Sequence, residues 1–445
     1  MERRHEGGRV ELNPPREVRR IAERLAGAGY EAWAVGGAIR DALAGLAVGD
    51  WDLTTSARPP EVRRLFKRTV PIGIEHGTVG VLGKDGVLYE VTTFRRDVET
   101  DGRHARVSFS DSLDEDLDRR DFTINAVAWS PLTGEIRDPH GGVEDLRAGL
   151  LRTVGDARER FREDRLRVLR ALRFAGRFSL EIEPRTWRAI RESADRLDHL
   201  SAERVREELV KTLAGQRAPS RTLRLYAASG VLAALYPELA ACIPLDDVWE
   251  HTLRVVDALP PTRPLLRLAA LLHESGRPGA TEPLDAGRGA PVQAHAGAAL
   301  ARGLMRRLKA SNADTDRVVH LVAQYGGLPA ADAPEAALRR WVRRVGVDYW
   351  RDLLRLHLAD RRARAADASD LLDLWRRLRR ILREGPALGP GDLAIGGAEL
   401  RALGIPPGPL YGEILKDLLE RVTDEPELNT RERLLEIVRE GLEAR

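Results

Sequence analysis

Val35-Gly36-Gly37-Ala38-Ile39-Arg40-Asp41, followed after a short loop by Asp50-Trp51-Asp52, is the stretch whose reading decides the fold. Glu31 to Val35 reads as a strand, Ala38 to Ala44 as a helix and Gly49 to Thr54 as a second strand. Two glycines between strand and helix let backbone N–H groups approach a ligand, and a helix N-terminus favours an anion such as a triphosphate. Asp50 and Asp52 stand at i and i+2 of the expected strand, so both carboxylates project from one face. Such a pair suits hard cations such as Mg²⁺. Two ions of that kind can clamp an attacking hydroxyl and a departing pyrophosphate.

Working outward, Pro59 to Lys67 predicts a helix whose start is marked by Ser56 and the Pro59-Pro60 pair. Gly77 to Leu82 and Val87 to Thr93 are rich in Val, Thr and Tyr and flank the turn Lys84-Asp85-Gly86, which predicts two more strands. The first third is therefore an α+β unit around a small mixed sheet. From about Asp156 the periodicity is helical almost to the end, broken at Ala214 to Pro219, Pro260 to Pro264, Gly276 to Pro291 and Gly385 to Gly391. The expected order is a catalytic head over 1–150, an all-α neck over 151–215, a body over 216–385 and a tail over 386–445. A chain of 445 residues is long enough for several packed units.

Composition sets limits. Hydrophobic residues make up 43% of the chain, and no apolar run approaches the ~20 residues that a membrane helix needs. Met1 to Val10 is charged and glycine-containing, unlike the apolar stretch of a signal peptide. Cys242 is the single cysteine, which excludes an intramolecular disulfide and a cysteine-rich zinc centre and points to a cytoplasmic protein. The net charge is only +3, from 72 basic and 69 acidic residues, so no global basic excess advertises nucleic acid. Arginines do cluster, at Arg302, Arg306 and Arg307, at Arg339, Arg340, Arg343 and Arg344, and at Arg376, Arg377, Arg379 and Arg380. Such clusters can meet phosphates. Lysine is scarce, however, so arginine is also this chain's default surface cation.

Arg119-Arg120-Asp121-Phe122-Thr123-Ile124-Asn125-Ala126 extends the pattern. The glycine turn before paired aspartates resembles the nucleotidyltransferase superfamily that includes DNA polymerase beta. The eight-residue stretch is similar to an unbroken motif of class II tRNA nucleotidyltransferases, the bacterial CCA-adding enzyme/poly(A) polymerase family. The resemblance implies that Asp50 and Asp52 are catalytic and bind Mg²⁺, and that Asp121 reads the ribose 2′-hydroxyl. It implies that Arg120 and Asn125 face the triphosphate, with Gly36, Gly37 and Arg40 as further nucleotide-binding residues. A carboxylate accepts from a hydroxyl and arginine pairs with phosphate, so the chemistry agrees. Glu90, on the expected strand, matches the position of a third catalytic carboxylate; a solvated or structural Glu90 is the alternative.

Further on, Glu163-Asp164-Arg165-Leu166-Arg167 lies in a helical pattern. On one helix Asp164 and Arg167 are a turn apart and share a face, beside an apolar stripe of Leu166, Leu169 and Leu172. An aspartate and an arginine together can mimic a pairing base. The carboxylate accepts from the exocyclic amine of cytosine or adenine, and the guanidinium donates to the neighbouring ring acceptor. Uracil and guanine present a carbonyl there and leave the groups unpaired. The segment resembles the family's Glu-Asp-x-x-Arg amino-acid template, with Arg170 as a further nucleotide-binding candidate; an ordinary salt bridge on a solvated helix is the alternative. Asp138-Pro139-His140-Gly141-Gly142 with Asp145-Leu146 is similar to the family's hinge motif. Ser201 to Leu209 is similar to its neck-helix motif, where Ser201 offers an N-cap and the later charges brace neighbouring helices. In the tail, Gly404 to Pro409 precedes a helix whose N-terminus suits an RNA phosphate; a plain interhelical turn is the alternative.

The body resembles an HD-type domain, a helical fold with His and Asp metal ligands in phosphohydrolases. His251, His273 and His295 fall at plausible places, but the expected His-Asp pair reads His273-Glu274-Ser275. The extra methylene moves the carboxylate in a geometry that is demanding. A degenerate HD-like domain serving as an RNA-binding scaffold is expected. The family resemblance implies template-independent addition of CCA to a tRNA 3′ end from CTP and ATP, with the tRNA acceptor/T arm as partner and no membrane. Ile72 to Val81 resembles the tRNA-specific pattern rather than the Gly-Arg-Arg-Phe type of poly(A) polymerases. The loop Arg96 to Val107 is complete where CC-adding relatives have it shortened. A-only addition stays open, as does, from another class, an HD-type phosphohydrolase acting on RNA ends.

Overall fold

The computed structural model describes residues 12–100, 105–245, 247–279 and 290–443. Met1 to Val10, and residues Asp101 to His104 of the loop read above, lie outside them. The strands of the head are β1 (Ala32–Val35), β2 (Asp52–Thr55), β3 (Thr69–Gly73), β4 (Thr78–Leu82), β5 (Leu88–Thr93), β6 (Arg95–Thr100), β7 (Ala105–Phe109), β8 (Ala128–Trp129) and β9 (Ile136–Arg137). Its helices are α1 (Arg16–Ala26), α2 (Gly37–Leu43), α3 (Pro59–Leu65), α4 (Leu113–Asp118) and α5 (Gly142–Ala148). Seven strands form one mixed sheet in the order β3-β4-β5-β2-β1-β8-β9, and β6 and β7 pair as a separate hairpin. Within the seven-stranded sheet β2 and β5 run parallel, with Leu53 opposite Val91.

Alternation along these strands sets two unequal faces. Leu53, Val79, Val81, Tyr89 and Val91 point to one side and form the main core with α1 and α3. In α1, Val18, Ile21, Ala22 and Leu25 follow the i, i+3, i+4, i+7 rule and are fully buried there. Burial of each of the three larger side chains favours the fold by roughly 1.5–3 kcal/mol. On the other side, Leu113 and Leu117 of α4 pack with Val35, Phe94 and Ala128, a much smaller cluster.

The expected strand over Gly49 to Thr54 needs correcting. β2 begins only at Asp52, whose partner is Val35, the last residue of β1. Trp51 turns into the core and meets Trp129 at 6.1 Å between ring centroids, so Asp50 belongs to the preceding loop. The expected single helix around Asp164 also divides. It becomes α6 (Ala157–Glu163) and α7 (Leu166–Phe178), because Asp164 is extended at φ −149°, ψ 106°. The next helices are α8 (Pro184–Ser193), α9 (Ala202–Gly215), which Ser201 caps as expected, and α10 (Ser220–Ser229). α7 packs against α9 and α10. At Gly176 a Cβ would stand 2.0 Å from Thr222 Oγ1, so that helix crossing requires glycine.

The chain divides into two compact units between Pro237 and Glu238, beyond the break expected at 215/216, because α10 packs back on α7. The second unit is helical throughout its described length. Its helices Glu335–Val345 and Pro409–Asp424 meet through Arg339, which donates to the Thr423 carbonyl at 3.1 Å, and through Arg340 and Arg343, which pair with Asp424 and Glu420. Beyond Leu393 a separate small core gathers Leu400, Leu418 and Leu434. Among the described residues no helix is long and apolar enough to cross a membrane.

Candidate active site

The parallel register of β2 and β5 sets Asp52 beside Glu90 on the face away from the main core. Asp52 is half-buried, while Glu90 and Asp50 are exposed. Burial pushes the Asp52 carboxyl up to about 6, and the charge of Glu90 pushes the same way; Arg120 opposes the shift and Asp50 adds to it. Carboxylates that repel one another on a rigid strand form an oxygen donor set for a hard divalent cation, whose charge relieves the repulsion. Glu90 is thus the neighbouring carboxylate that Asp52 meets through the strand pairing.

The glycine turn opens onto this cluster. Gly36 has φ +72°, and a Cβ there would stand 3.1 Å from Arg120 Nη1, so the turn brings backbone close to a guanidinium. Arg40, in α2, is buried. It donates to Asp41 Oδ1 at 2.8 and 2.6 Å and to Asn125 Oδ1 at 2.7 Å. Its guanidinium lies 4.8 and 4.6 Å from the ring centres of Phe174 and Phe178 in α7. Asn125 Nδ2 donates to Asp121 Oδ1 at 2.9 Å, and Arg170 Nε donates to Asp121 Oδ2 at 2.7 Å. Burial alone would raise the Asp121 pKa, but the charge of Arg170 and the bonds from Asn125 and Arg170 hold it below the usual carboxylate range. Arg40, Asn125, Asp121 and Arg170 thus form one chain from head to neck. Asp121 has both oxygens engaged within the protein, and Arg170 acts as its partner.

Asp164 and Arg167 do not share a helix face, since Asp164 is the extended residue between α6 and α7. The break serves to fix the carboxylate. Asp164 Oδ1 accepts from Leu166 N at 3.0 Å, and Oδ2 accepts from Arg204 Nη2 of α9 at 2.7 Å. Arg167 Nη1 donates to Glu163 Oε2 at 2.5 Å. Gly36, Gly37, Arg40, Asp52, Arg120, Asp121, Asn125, Asp164, Arg167 and Arg170 all line one cavity of about 540 Å³. Asp50 and Glu90 lie outside its lining.

Arg204, expected to brace neighbouring helices, lines the same cavity, as do Arg95, Arg119, Arg173, Arg177 and Phe174, which were not among the expected site residues. One signal was available: Arg167, Arg170, Arg173 and Arg177 recur at helical spacing with Phe174 among them. Arg204 gave none, because its partner lies forty residues away, |i−j| = 40.

The second unit holds another cluster of ligand-type side chains. Donor atoms of His251, His273 and Glu274 lie within 4.8 Å of one another. His251 Nε2 is 2.6 Å from Asp360 Oδ1, and His273 Nδ1 is 2.5 Å from the Ala270 carbonyl. His251 Nδ1 and His273 Nε2 are buried without a hydrogen-bond partner. His295 is exposed and not part of the group. Most of the clustered arginines here have internal partners: Arg344 donates to Gly327 O, Arg377 to Ala331 O and Ala333 O, and Arg380 pairs with Glu335.

Carboxylates and an arginine wall sharing one cavity define the class of this head, a polymerase-beta-type nucleotidyltransferase. Residues 32–152 match the family described as Poly A polymerase head domain, and residues 179–243 match the probable RNA and SrmB-binding site of polymerase A. The CCA-adding enzyme of Geobacillus stearothermophilus is 46% identical over 232 residues, 52% of this chain and 56% of that one. The CCA-adding enzyme of Lactiplantibacillus plantarum is 44% identical over 242 residues, 54% and 57% of the two chains. The match thus spans little more than half the length of these curated relatives. The crystal structure of the Bacillus stearothermophilus CCA-adding enzyme in complex with CTP superposes with a TM-score of 0.77 at 32% identity, covering 97% of this chain and 99% of that one. With such agreement over nearly both full lengths, the protein belongs to the CCA-adding enzyme family. The Thermotoga maritima CCA-adding enzyme complexed with tRNA-CCA shares the fold, with a TM-score of 0.59 at 22% identity over 96% of this chain and 94% of that one.

Proposed function

We propose that the protein adds C, C and A in turn to the 3′ end of tRNA, using CTP and ATP and no nucleic-acid template. The observation that carries the reading is the single cavity that joins Asp52 to Asp164 and Arg167. At each step the RNA 3′-oxygen forms a bond to the α-phosphorus of the incoming nucleotide. The bond to the bridging oxygen of pyrophosphate breaks, and the hydroxyl proton is released. Asp50, Asp52 and Glu90 fit divalent ions, Mg²⁺ on our reading; when bound, these would supply positive charge to the attacking oxygen and to the departing pyrophosphate. Gly36 and Gly37 bring backbone against the triphosphate, and Arg120 offers it a cation. Arg170 and Asn125 hold Asp121 ionised and oriented as an acceptor for the ribose hydroxyl. Arg204 and Glu163 hold Asp164 and Arg167 as a preset acceptor–donor pair for cytosine or adenine. We place the activity in the cytoplasm, supported by the single cysteine, Cys242.

The test is extension of two tRNA transcripts, one lacking CCA and one ending in CC, with CTP, ATP or both and Mg²⁺. Three additions to the first, stopping at CCA, are expected. Addition of A alone to the second would reassign the protein as an A-adding enzyme, and unlimited A addition as a poly(A) polymerase. Absence of any extension would sink the proposal.

The convergence of His251, His273 and Glu274 favours a second reading, a metal phosphohydrolase acting on RNA ends. We favour a degenerate scaffold, because Asp360 already saturates one face of His251. Stoichiometric transition metal in the purified full chain, with hydrolysis of a phosphorylated RNA end, would establish the second reading.

A further inference from the structure

The catalytic face of the head sheet is covered only in part. α4 and its apolar residues close it over β1 and the end of β5. Beyond Glu90, toward the β3 edge, the side chains of Val70, Ile72 and Leu88 are left exposed among the described residues. Directly paired residues share a face, so Val70 of β3, Gly80 of β4 and Glu90 of β5 line up across three strands on this open side. Leu82 and Leu88 form the next pair along. Val70, Ile72 and Leu88 are 43%, 39% and 42% exposed. A Cβ on Gly80 would stand 2.5 Å from Ile72 Cδ1 and 3.0 Å from Leu88 Cδ1, so these side chains close over the glycine as one apolar strip. Isolated exposed hydrophobics need no explanation; a contiguous strip ending on a catalytic carboxylate does.

We infer that Val70, Ile72 and Leu88 form the platform on which the 3′-terminal bases of the RNA lie, so that its terminal hydroxyl meets Asp52 and Glu90. The inference rests on the proposed nucleotidyl transfer and names the RNA surface of that same site. Three features select this occupant. The arginine-lined cavity on the other side of Asp52 is matched to a triphosphate, and its lining includes neither Glu90 nor Leu88. The open face gives a second substrate its own approach to Asp52 and Glu90, apart from that cavity. Leu88 lies two residues from Glu90, about 6.8 Å along an antiparallel strand, so a base laid flat on Leu88 lies beside the carboxylate. Aliphatic side chains take any base through its apolar face, as successive additions of different nucleotides demand. At the far end, Thr69 pairs with buried Val81, so exposed Arg68 falls on the open face, where a phosphate of the same strand would pass.

The experiment uses the full chain, its Val70→Ser/Ile72→Ser/Leu88→Ser variant and, as a milder change, Leu88→Ser alone. Extension kinetics are measured on a tRNA transcript lacking CCA. A transcript carrying 4-thiouridine at its 3′ end is photocrosslinked in parallel. The expected result is a rise in KM for tRNA on the order of tenfold in the triple variant, with KM for CTP and the Tm unchanged and a wild-type crosslink on residues 68–90. An unchanged KM for tRNA, or a crosslink on other residues, overturns the platform. So does a shift from dimer to monomer with unchanged KM, which would show that a second copy covers the strip. Lack of extension by the wild-type chain would instead remove the proposed function on which the platform rests.

Discussion

Asp52 and Asp360 are both drawn away from solvent, one in the head and one in the second unit, yet they titrate in opposite directions. Asp52 is pushed up to about 6 by burial and by the neighbouring Glu90 charge. Asp360 is held at about 2: burial works against ionisation there too, but the hydrogen bond from His251 and the charge of Arg364 outweigh it. The difference lies in the company each carboxylate keeps. Asp360 is satisfied within the protein, whereas Asp52 stands among like charges that Arg120 answers only in part. A carboxylate whose charge is left largely unrelieved on a rigid element is a candidate for chemistry.

That contrast fails most visibly if the head carboxylates prove structural. Asp50→Ala and Asp52→Ala are each expected to lower nucleotide addition by ~10³-fold or more in a single-turnover extension assay, with tRNA retention on filters almost unchanged. Equal loss of binding would contradict the assignment. Asp52→Asn is expected to remove activity while stabilising the metal-free chain. Folded Asp52 holds its proton more tightly than the unfolded chain does. Its contribution to stability is therefore present at low pH and lost as pH rises toward about 6. In EDTA, the Tm gain of the Asn variant should be larger at pH 7.5 than at pH 4.5, by an amount equivalent to about 1–3 kcal/mol.

A smaller but more selective effect is expected at the base-reading pair. Asp164→Ala or Arg167→Ala should raise UTP and GTP incorporation relative to CTP and ATP by roughly 10–100-fold, leaving KM for tRNA nearly constant. Arg204→Ala, which leaves Asp164 in place but unanchored, should fall between wild type and Asp164→Ala in the same competition assay. Unchanged selectivity in Asp164→Ala would remove the template.

In the second unit the prediction reverses: stability changes and chemistry does not. His251→Ala breaks a buried pair and should cost about 3 kcal/mol in urea unfolding, with addition per folded molecule preserved. The sign with pH is opposite to that of Asp52. Asp360 contributes stability above its unfolded pKa and loses it as pH falls toward about 2. His251→Ala should therefore flatten the acid limb of the stability profile. The smallest effects belong to the paired arginines. Arg340→Ala or Arg343→Ala should cost about 0–1 kcal/mol and leave the salt dependence of tRNA binding alone. Arg306 and Arg379 make no side-chain bond among the described residues, so replacing either is where a shallower salt slope is expected.

Much of this was legible before any coordinates. The strand–turn–helix at Val35 to Asp41, the strands around Lys84 to Gly86 and the helical remainder follow from short-range periodicity, and the structure reproduces them within a few residues. The two local errors share a cause. Gly49 to Thr54 reads as a continuous strand because its composition fits one, but Trp51 gains more by turning toward Trp129 in the core than by extending the ladder. Asp164 sits in an unbroken helical pattern, but the bond from Arg204 rewards leaving the helix.

By itself the sequence marked the class of head and its candidate residues: a Gly36-Gly37 turn ahead of Asp50 and Asp52, with Asp121, Asp164 and Arg167 as further site candidates. Tertiary structure alone decided who holds whom. Arg40 reaches Asn125 across |i−j| = 85, Arg170 reaches Asp121 across 49, and Asp52 meets Glu90 through a parallel pairing. It also decided that Arg340, Arg343 and Arg377 of the second unit answer the protein's own acids and carbonyls. The reason is physical. Propensity, alternation and motif spacing are properties of neighbouring residues, whereas ionisation and orientation are set by charges and dipoles that come close only once the chain has folded.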